Sequence, residues 1–238
     1  MTNYMLAPHV YWCAIEDGVV LLDLKRHKYV GIGRTHSDLL YRILEGGVST
    51  SNSSPAISDV GGELAALSKI LVTEGLVTRD AMLGKPLTPP SINTVGSADS
   101  LPQLTAGQPF RFINVLRLMV SFITTKHQLR KVPFDRIVRN AQAVRPELAS
   151  TIAALGAKEM RLIRLFRRFR SIFYTAHNNC ILDSLVLRDF LRRNGISTTW
   201  VIGVESRPFA AHSWIQHRGI VLNDSLEHVR RYTPILVV

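Results

Sequence analysis

The 238-residue sequence predicts an α+β protein in two domains, and three observations lead there. Strand formers crowd residues 10–32 and give way to helical periodicity up to residue 75. A proline-rich stretch then interrupts the chain at 84–109. Beyond it, helical patterns lead into short runs of β-branched and aromatic residues between 198 and 224.

The first strand is Val10–Ile15, closed by the turn Glu16-Asp17-Gly18. Val19–Leu24 and Tyr29–Ile32 follow, separated by the polar Lys25–Lys28, which makes a three-stranded meander. Thr35 and Ser37 are candidate N-caps of a helix carrying Leu39, Leu40, Ile43 and Leu44, with Gly46-Gly47 as its stop. Leu64, Leu67, Ile70 and Leu71 recur at helical spacing up to Gly75, and Leu76–Arg79 can add a last strand. The expectation is a winged-helix-like module of a three-stranded sheet and three helices, residues 1–83. Residues 84–109 hold Pro86, Pro89, Pro90, Pro102 and Pro109 and read as a linker.

From Phe110 the pattern is helical, with Ile113, Leu116, Val120 and Ile123 on one face. Pro133 and Asp135 open another helix that ends before Pro146. Between Lys158 and Tyr174 an apolar stripe (Met160, Ile163, Phe166, Phe169) runs beside Arg161, Arg164, Arg167, Arg168 and Arg170. Such a helix is expected to pack on a core and present a solvated basic face, rather than lie on a membrane. Asn178 or Asn179 can cap a helix running to Asn194, with Gly195 at C′. Thr198–Val204, Phe209–His217 and Ile220–Asp224 then form strands, in a second domain spanning 110–238.

Charge is unevenly spread. The net is +11, yet residues 1–83 hold seven Lys/Arg against nine Asp/Glu, so the basic excess lies in the second domain. A nucleic-acid-reading first domain would be basic, so no nucleic-acid partner is expected. No apolar run reaches the roughly 20 residues of a membrane span, and residues 1–8 lack the pattern of a secretory signal. Two distant cysteines, Cys13 and Cys180, give no disulfide framework and suggest a cytoplasmic setting.

Cys180 falls in the first turn of its helix, where unpaired N–H groups and the dipole favour a thiolate. His212 early in one strand and Asp224 late in the next can meet across a hairpin. With Cys180 packed against that edge, the order is nucleophile, base and orienting carboxylate. A zinc site of Cys180, His212, His217 and Asp224 fits less well, because His212 and His217 point to opposite faces of one strand. Trp214 shares the face of His212. Asp183 is a dipole partner in the first turn and the reserve carboxylate.

Here a family resemblance enters. The block Cys180-x-x-x-Ser184-Leu185-x-Leu187-x-x-x-Leu191-x-x-x-Gly195, then Val201-Ile202-Gly203-Val204, Phe209-x-x-His212-x-Trp214 and Asn223-Asp224 resembles the B protein of lasso-peptide biosynthesis. The resemblance implies a transglutaminase/papain-like cysteine peptidase domain that removes the leader from a ribosomally made precursor. It assigns Cys180 as nucleophile, His212 as general base and acid, and Asp224 as orienter. The Cys180 N–H with an Asn178 or Asn179 amide is the expected oxyanion site. Val20–Leu24 and Lys28–Ile32 are similar to the strand hairpin of PqqD-like precursor-recognition elements. An extended leader is then expected along Tyr29, Val30, Gly31 and Ile32, facing Leu67, Ile70 and Leu71. The implied partners are the precursor's leader region and an asparagine-synthetase-like cyclase. No cofactor is expected on this chain; ATP enters only through the cyclase, for which the basic surface of 110–175 is a candidate docking face. Acyl transfer to an amine by the same three residues is the alternative chemistry.

Overall fold

Gly18 sets the first hairpin. Its φ is +140°, and a Cβ there would lie 2.0 Å from the Ile32 carbonyl oxygen, so only glycine fits. In the computed structural model, which describes residues 4–44, 57–80, 82–98, 111–143, 155–173 and 179–238, two compact units divide after Pro90. The first contains β1 (Met5–Leu6), β2 (Val10–Ile15), β3 (Gly18–Asp23), β4 (Lys28–Gly33), α1 (Arg34–Leu44), α2 (Ile57–Thr73) and β5 (Val77–Thr78). The meander β2-β3-β4 is antiparallel throughout, as the short breaks between its strands predict, and β1 pairs with β5.

One sheet face is closed by the helices: Val19, Leu21, Trp12 and Ile32 pack with Leu40, Ile43, Leu71 and Leu76 in one core. Ser37 is not a cap. It lies inside α1, where its hydroxyl donates to the Gly33 and Ile32 carbonyls at 3.0 and 3.2 Å, and because the helix begins at Arg34, Thr35 too lies within it rather than at its cap. Gly75, with φ +68°, ends α2 as expected. Two helices accompany the sheet among the described residues where three were expected, so this unit is a small α+β module and its winged-helix character is not established. Gly46 and Gly47 lie outside the described residues.

The second unit contains β6 (Gly96–Ser97), α3 (Phe112–Lys131), α4 (Phe134–Ala143), α5 (Ala157–Phe173), α6 (Cys180–Arg193), β7 (Thr199–Ser206), β8 (Phe209–His217), β9 (Ile220–Val221), α7 (Leu226–Val229) and β10 (Thr233–Val237). Its sheet runs β10-β7-β8-β9-β6, antiparallel except for the parallel β6–β9 pair. The expected linker is therefore divided: Lys85 bridges Leu6 in the first unit, Gly96–Ser97 belongs to the second sheet, and 99–110 lie outside the described residues. Among the described residues no helix is long and apolar enough to cross a membrane.

α6 packs between α3 and β8, burying Leu187, Phe190 and Leu191. On α3 the expected face is not the buried one. Ile113, Leu116 and Ile123 are exposed, and Leu118, Ser121 and Thr125 face inward. Small hydroxyl side chains let two helices approach closely, a preference that a hydrophobic count does not register. Gly195 takes φ +77° at C′ of α6, and its N–H and that of Ile196 close onto the Arg192 and Leu191 carbonyls.

Candidate active site

The site is built where the start of α6 meets β8 and the turn after β9. Asn179 occupies the N-cap position of α6, but its side chain makes no capping bond. The first intrahelical bond runs from the Asp183 N–H to the Asn179 carbonyl at 2.9 Å. The Cys180 N–H is thus among those that a helix leaves without an intrahelical acceptor. Asn178 lies outside the described residues, as does His177. Cys180 itself is a free, half-buried thiol.

His212 stands on β8 opposite Gly203 of β7, with the Trp214 ring stacked at 6.1 Å and 16°. Its Nε2 lies 2.5 Å from Asp224 Oδ2. The Cys180 sulfur is a further hydrogen-bond partner of the imidazole, so Nδ1 is the nitrogen left to serve it. Burial alone would lower the His212 pKa, but the bonds to Asp224 and Cys180 and their negative charge outweigh it and push it up to about 9. For Asp224 burial works upward, and the bonds from His212, His228 and the Ser225 N–H prevail and bring it down to about 2.

These shifts make a testable pH window. A histidine raised from 6.5 to about 9 stabilises the fold fully below pH 6.5 and loses that contribution as pH rises through 9. A carboxyl depressed from 3.8 to about 2 stabilises fully above pH 3.8 and loses it as pH falls through 2. The pair's contribution is expected to be flat and maximal between those inner limits. Urea midpoints against pH, wild type minus His212→Ala, measure it. A difference that grew steadily up to pH 10 would contradict the assignment.

Asp224 is not at the end of a strand. The β8–β9 ladder stops at Val221, and the side chain of Asn223 continues it by accepting the Ile215 N–H at 2.9 Å. Asn223 Nδ2 donates to Asp183 Oδ2 at 2.8 Å. Arg167 Nη2 donates to the Leu222 carbonyl at 2.8 Å and Arg170 Nη1 to that of Asn223 at 3.1 Å. Arg170 also lies 3.6 Å from Asp183. Asp183, only 2% exposed, is thus a buried anchor of the Asp224 turn rather than a reserve carboxylate. Arg167 likewise serves this turn, which corrects its expected place on a docking face. Two of the helix's cations are held inward by backbone carbonyls, whose acceptor groups the sequence does not display.

Two residues of the site were missed. His228 Nδ1 lies 2.9 Å from Asp224 Oδ2, and the Tyr232 hydroxyl 3.4 Å from His228 Nε2. The available signal was the spacing: Asp224, His228 and Tyr232 recur every four residues, and Ser225 caps α7 by accepting the His228 N–H at 3.2 Å. His217 is held elsewhere, its Nδ1 2.7 Å from the Ser197 carbonyl. By atom type His212, Asp224 and His228 suit a cation. The observed spacings are those of hydrogen bonds, however, and two ligands of one tetrahedral zinc sit about 3.3 Å apart for bonds of about 2.0 Å.

In the first unit a cleft of about 560 Å³ lies between β4 and α2. Val30, Gly31, Ile32, Leu67, Ile70 and Leu71 all line it. Tyr29 does not: paired with Leu22, it falls on the opposite sheet face from Val30 and Ile32. β4 is an edge strand, and Ile70 stays 58% exposed at the cleft.

Residues 120–237 match the transglutaminase-like superfamily. No curated protein and no solved structure matches the chain.

Proposed function

We propose, from the match of residues 120–237 to the transglutaminase-like superfamily, that the protein is a cysteine peptidase that releases the leader of a ribosomally made lasso-peptide precursor. The observation that carries this reading is the Cys180–His212–Asp224 alignment, with His212 hydrogen-bonded on both sides. A thiolate beside an imidazolium is a nucleophile ready at neutral pH. Cys180 Sγ attacks the scissile carbonyl carbon, and the carbonyl electron pair moves onto oxygen beside the Cys180 N–H and the Asn179 amide. Collapse expels the amine of the core, which takes its proton from His212. The leader remains as a thioester on Cys180. Water, deprotonated by His212, then attacks the thioester carbon and frees the leader carboxylate and the thiol. Asp224 holds the His212 proton on Nε2 and offsets the imidazolium charge.

The leader is proposed to lie as an added strand along β4, its side chains entering the cleft against Leu67, Ile70 and Leu71. Ile70→Glu is expected to raise KM for the precursor about tenfold with kcat unchanged, because the contact is equal in ground and transition states. An unchanged KM would place the leader elsewhere. The cyclase partner and its ATP belong to the same reading, and Arg164 and Arg168 remain as candidate docking cations.

Mass spectrometry of the precursor with wild type and Cys180→Ala, with and without cyclase and ATP, in H₂¹⁸O, tests the proposal. Leader fragments carrying ¹⁸O at their new carboxylate, from wild type alone, support hydrolysis. Intact precursor in every mixture, or cleavage by Cys180→Ala, refutes it. A leader joined to an added amine identifies acyl transfer instead.

A further inference from the structure

Asp224 Oδ2 receives two histidines, His212 Nε2 at 2.5 Å and His228 Nδ1 at 2.9 Å. A carboxylate oxygen can accept both, but only if each nitrogen bears a proton. That requirement fixes His228 in its Nδ1–H form and leaves Nε2 as an acceptor, where the Tyr232 hydroxyl stands at 3.4 Å. The Tyr232 ring meets His228 edge-on at 5.3 Å and lies 5.2 Å from the His212 ring. The two histidine rings are 4.7 Å apart. Ser225 ties the arrangement to the backbone, since its N–H binds Asp224 Oδ1 at 2.7 Å while its hydroxyl caps the turn that carries His228.

We propose that His228 is a positioning residue of this site: it holds the Asp224 carboxylate in the orientation that meets His212, and Tyr232 keeps His228 in the tautomer that can do so. The inference rests on reading Cys180 and His212 as the reactive pair. A carboxylate fixed only by Ser225 and by the imidazole it is meant to orient can swing with that imidazole. A third anchor from α7 makes the orientation independent of His212, which must change its protonation during turnover. The charged and titratable groups acting on His212 are Cys180 from α6 and Asp224 from the turn; His228 meets Asp224 and Tyr232, and Glu205 from β7 and Arg231 before β10 act on Tyr232. Glu205 and Arg231 are paired with each other at 3.0 Å.

Alkylation of Cys180 by iodoacetamide, followed against pH by peptide mass spectrometry, reads the reactive pair without a substrate. Wild type is expected to react at pH 6 well above a free thiol, with a second step near the His212 pKa of about 9. In His228→Leu the upper step is expected to fall by about one pH unit and the pH 6 rate about tenfold. His228→Asn places an amide N–H near the Nδ1 position and should restore most of both. Tyr232→Phe keeps the ring and should show the same downward shift, smaller in size. A His228→Leu profile identical to a reactive wild type overturns the inference and leaves the Cys180–His212 pair intact. So does a His228→Asn variant as impaired as His228→Leu, since ring packing would then be the whole effect. A wild-type thiol no more reactive at pH 6 than a free cysteine overturns the underlying reading, and the inference with it.

Discussion

Alanine at Cys180 is expected to remove turnover, and asparagine at Asp224 to lower kcat/KM by about 10³–10⁴-fold with the fold intact. The asparagine has the same shape, so the Ser225 N–H still finds an oxygen. Its amide group, however, offers a second proton donor toward His212 Nε2 and His228 Nδ1, which are themselves donors in the native arrangement. The clash is relieved if His212 moves its proton to Nδ1. The nitrogen facing Cys180 then carries a hydrogen and can no longer take one from the thiol. Rates on the precursor, with thermal melts to confirm folding, measure the effect. An Asp224→Asn enzyme within tenfold of wild type would show that the carboxylate does not set the tautomer.

Gly203→Ala is expected to destabilise the second unit by about 2–3 kcal/mol and lower its Tm by about 5–10 °C. A Cβ at this position would lie 2.8 Å from Trp214 Cη2 and 2.8 Å from Tyr232 Cβ. Trp214 is fully buried and cannot withdraw. Both neighbours also flank the His212 ring, at 6.1 and 5.2 Å, so a shift that admits the methyl group also moves the base. Differential scanning calorimetry and precursor cleavage are expected to fall together. A variant melting within about 1 °C of wild type would mean that the two aromatic rings yield at little cost.

What was legible in the sequence was local. The meander followed from runs of strand formers broken at Glu16-Asp17-Gly18 and at Lys25–Lys28, α6 from an asparagine before it and Gly195 after it, and the approach of His212 to Asp224 from hairpin geometry. What was missed depends on partners distant in sequence. Arg167 and Arg170 looked like a solvated stripe because their acceptors are carbonyls more than 50 positions away. β6 is two residues long and pairs across to Ile220–Val221, so no periodicity announces it. The inward face of α3 is made of Leu118, Ser121 and Thr125, and polarity hid two of the three. In the first unit Val30, Gly31, Ile32, Leu67, Ile70 and Leu71 share one cleft, as strand and helix spacing brings them together, whereas Tyr29 was included by adjacency although strand alternation sends it to the other face.

The parallel strand β6 carries a consequence for where the second unit can be cut. Thr94 Oγ1 takes a hydrogen from Gln216 Nε2 at 2.6 Å, the Val95 N–H binds the Gly219 carbonyl at 2.9 Å, and Gly96–Ser97 covers the free side of β9. These few residues work as a selvedge, the woven border that stops a fabric from unravelling. A polypeptide started at residue 110 would lack it. The buried Gln216 amide would lose its acceptor, and β9 would offer open N–H and C=O groups to any neighbouring chain. A fragment begun at Ser91 keeps the border, and sheet-to-sheet association in the shorter one is the price of omitting it.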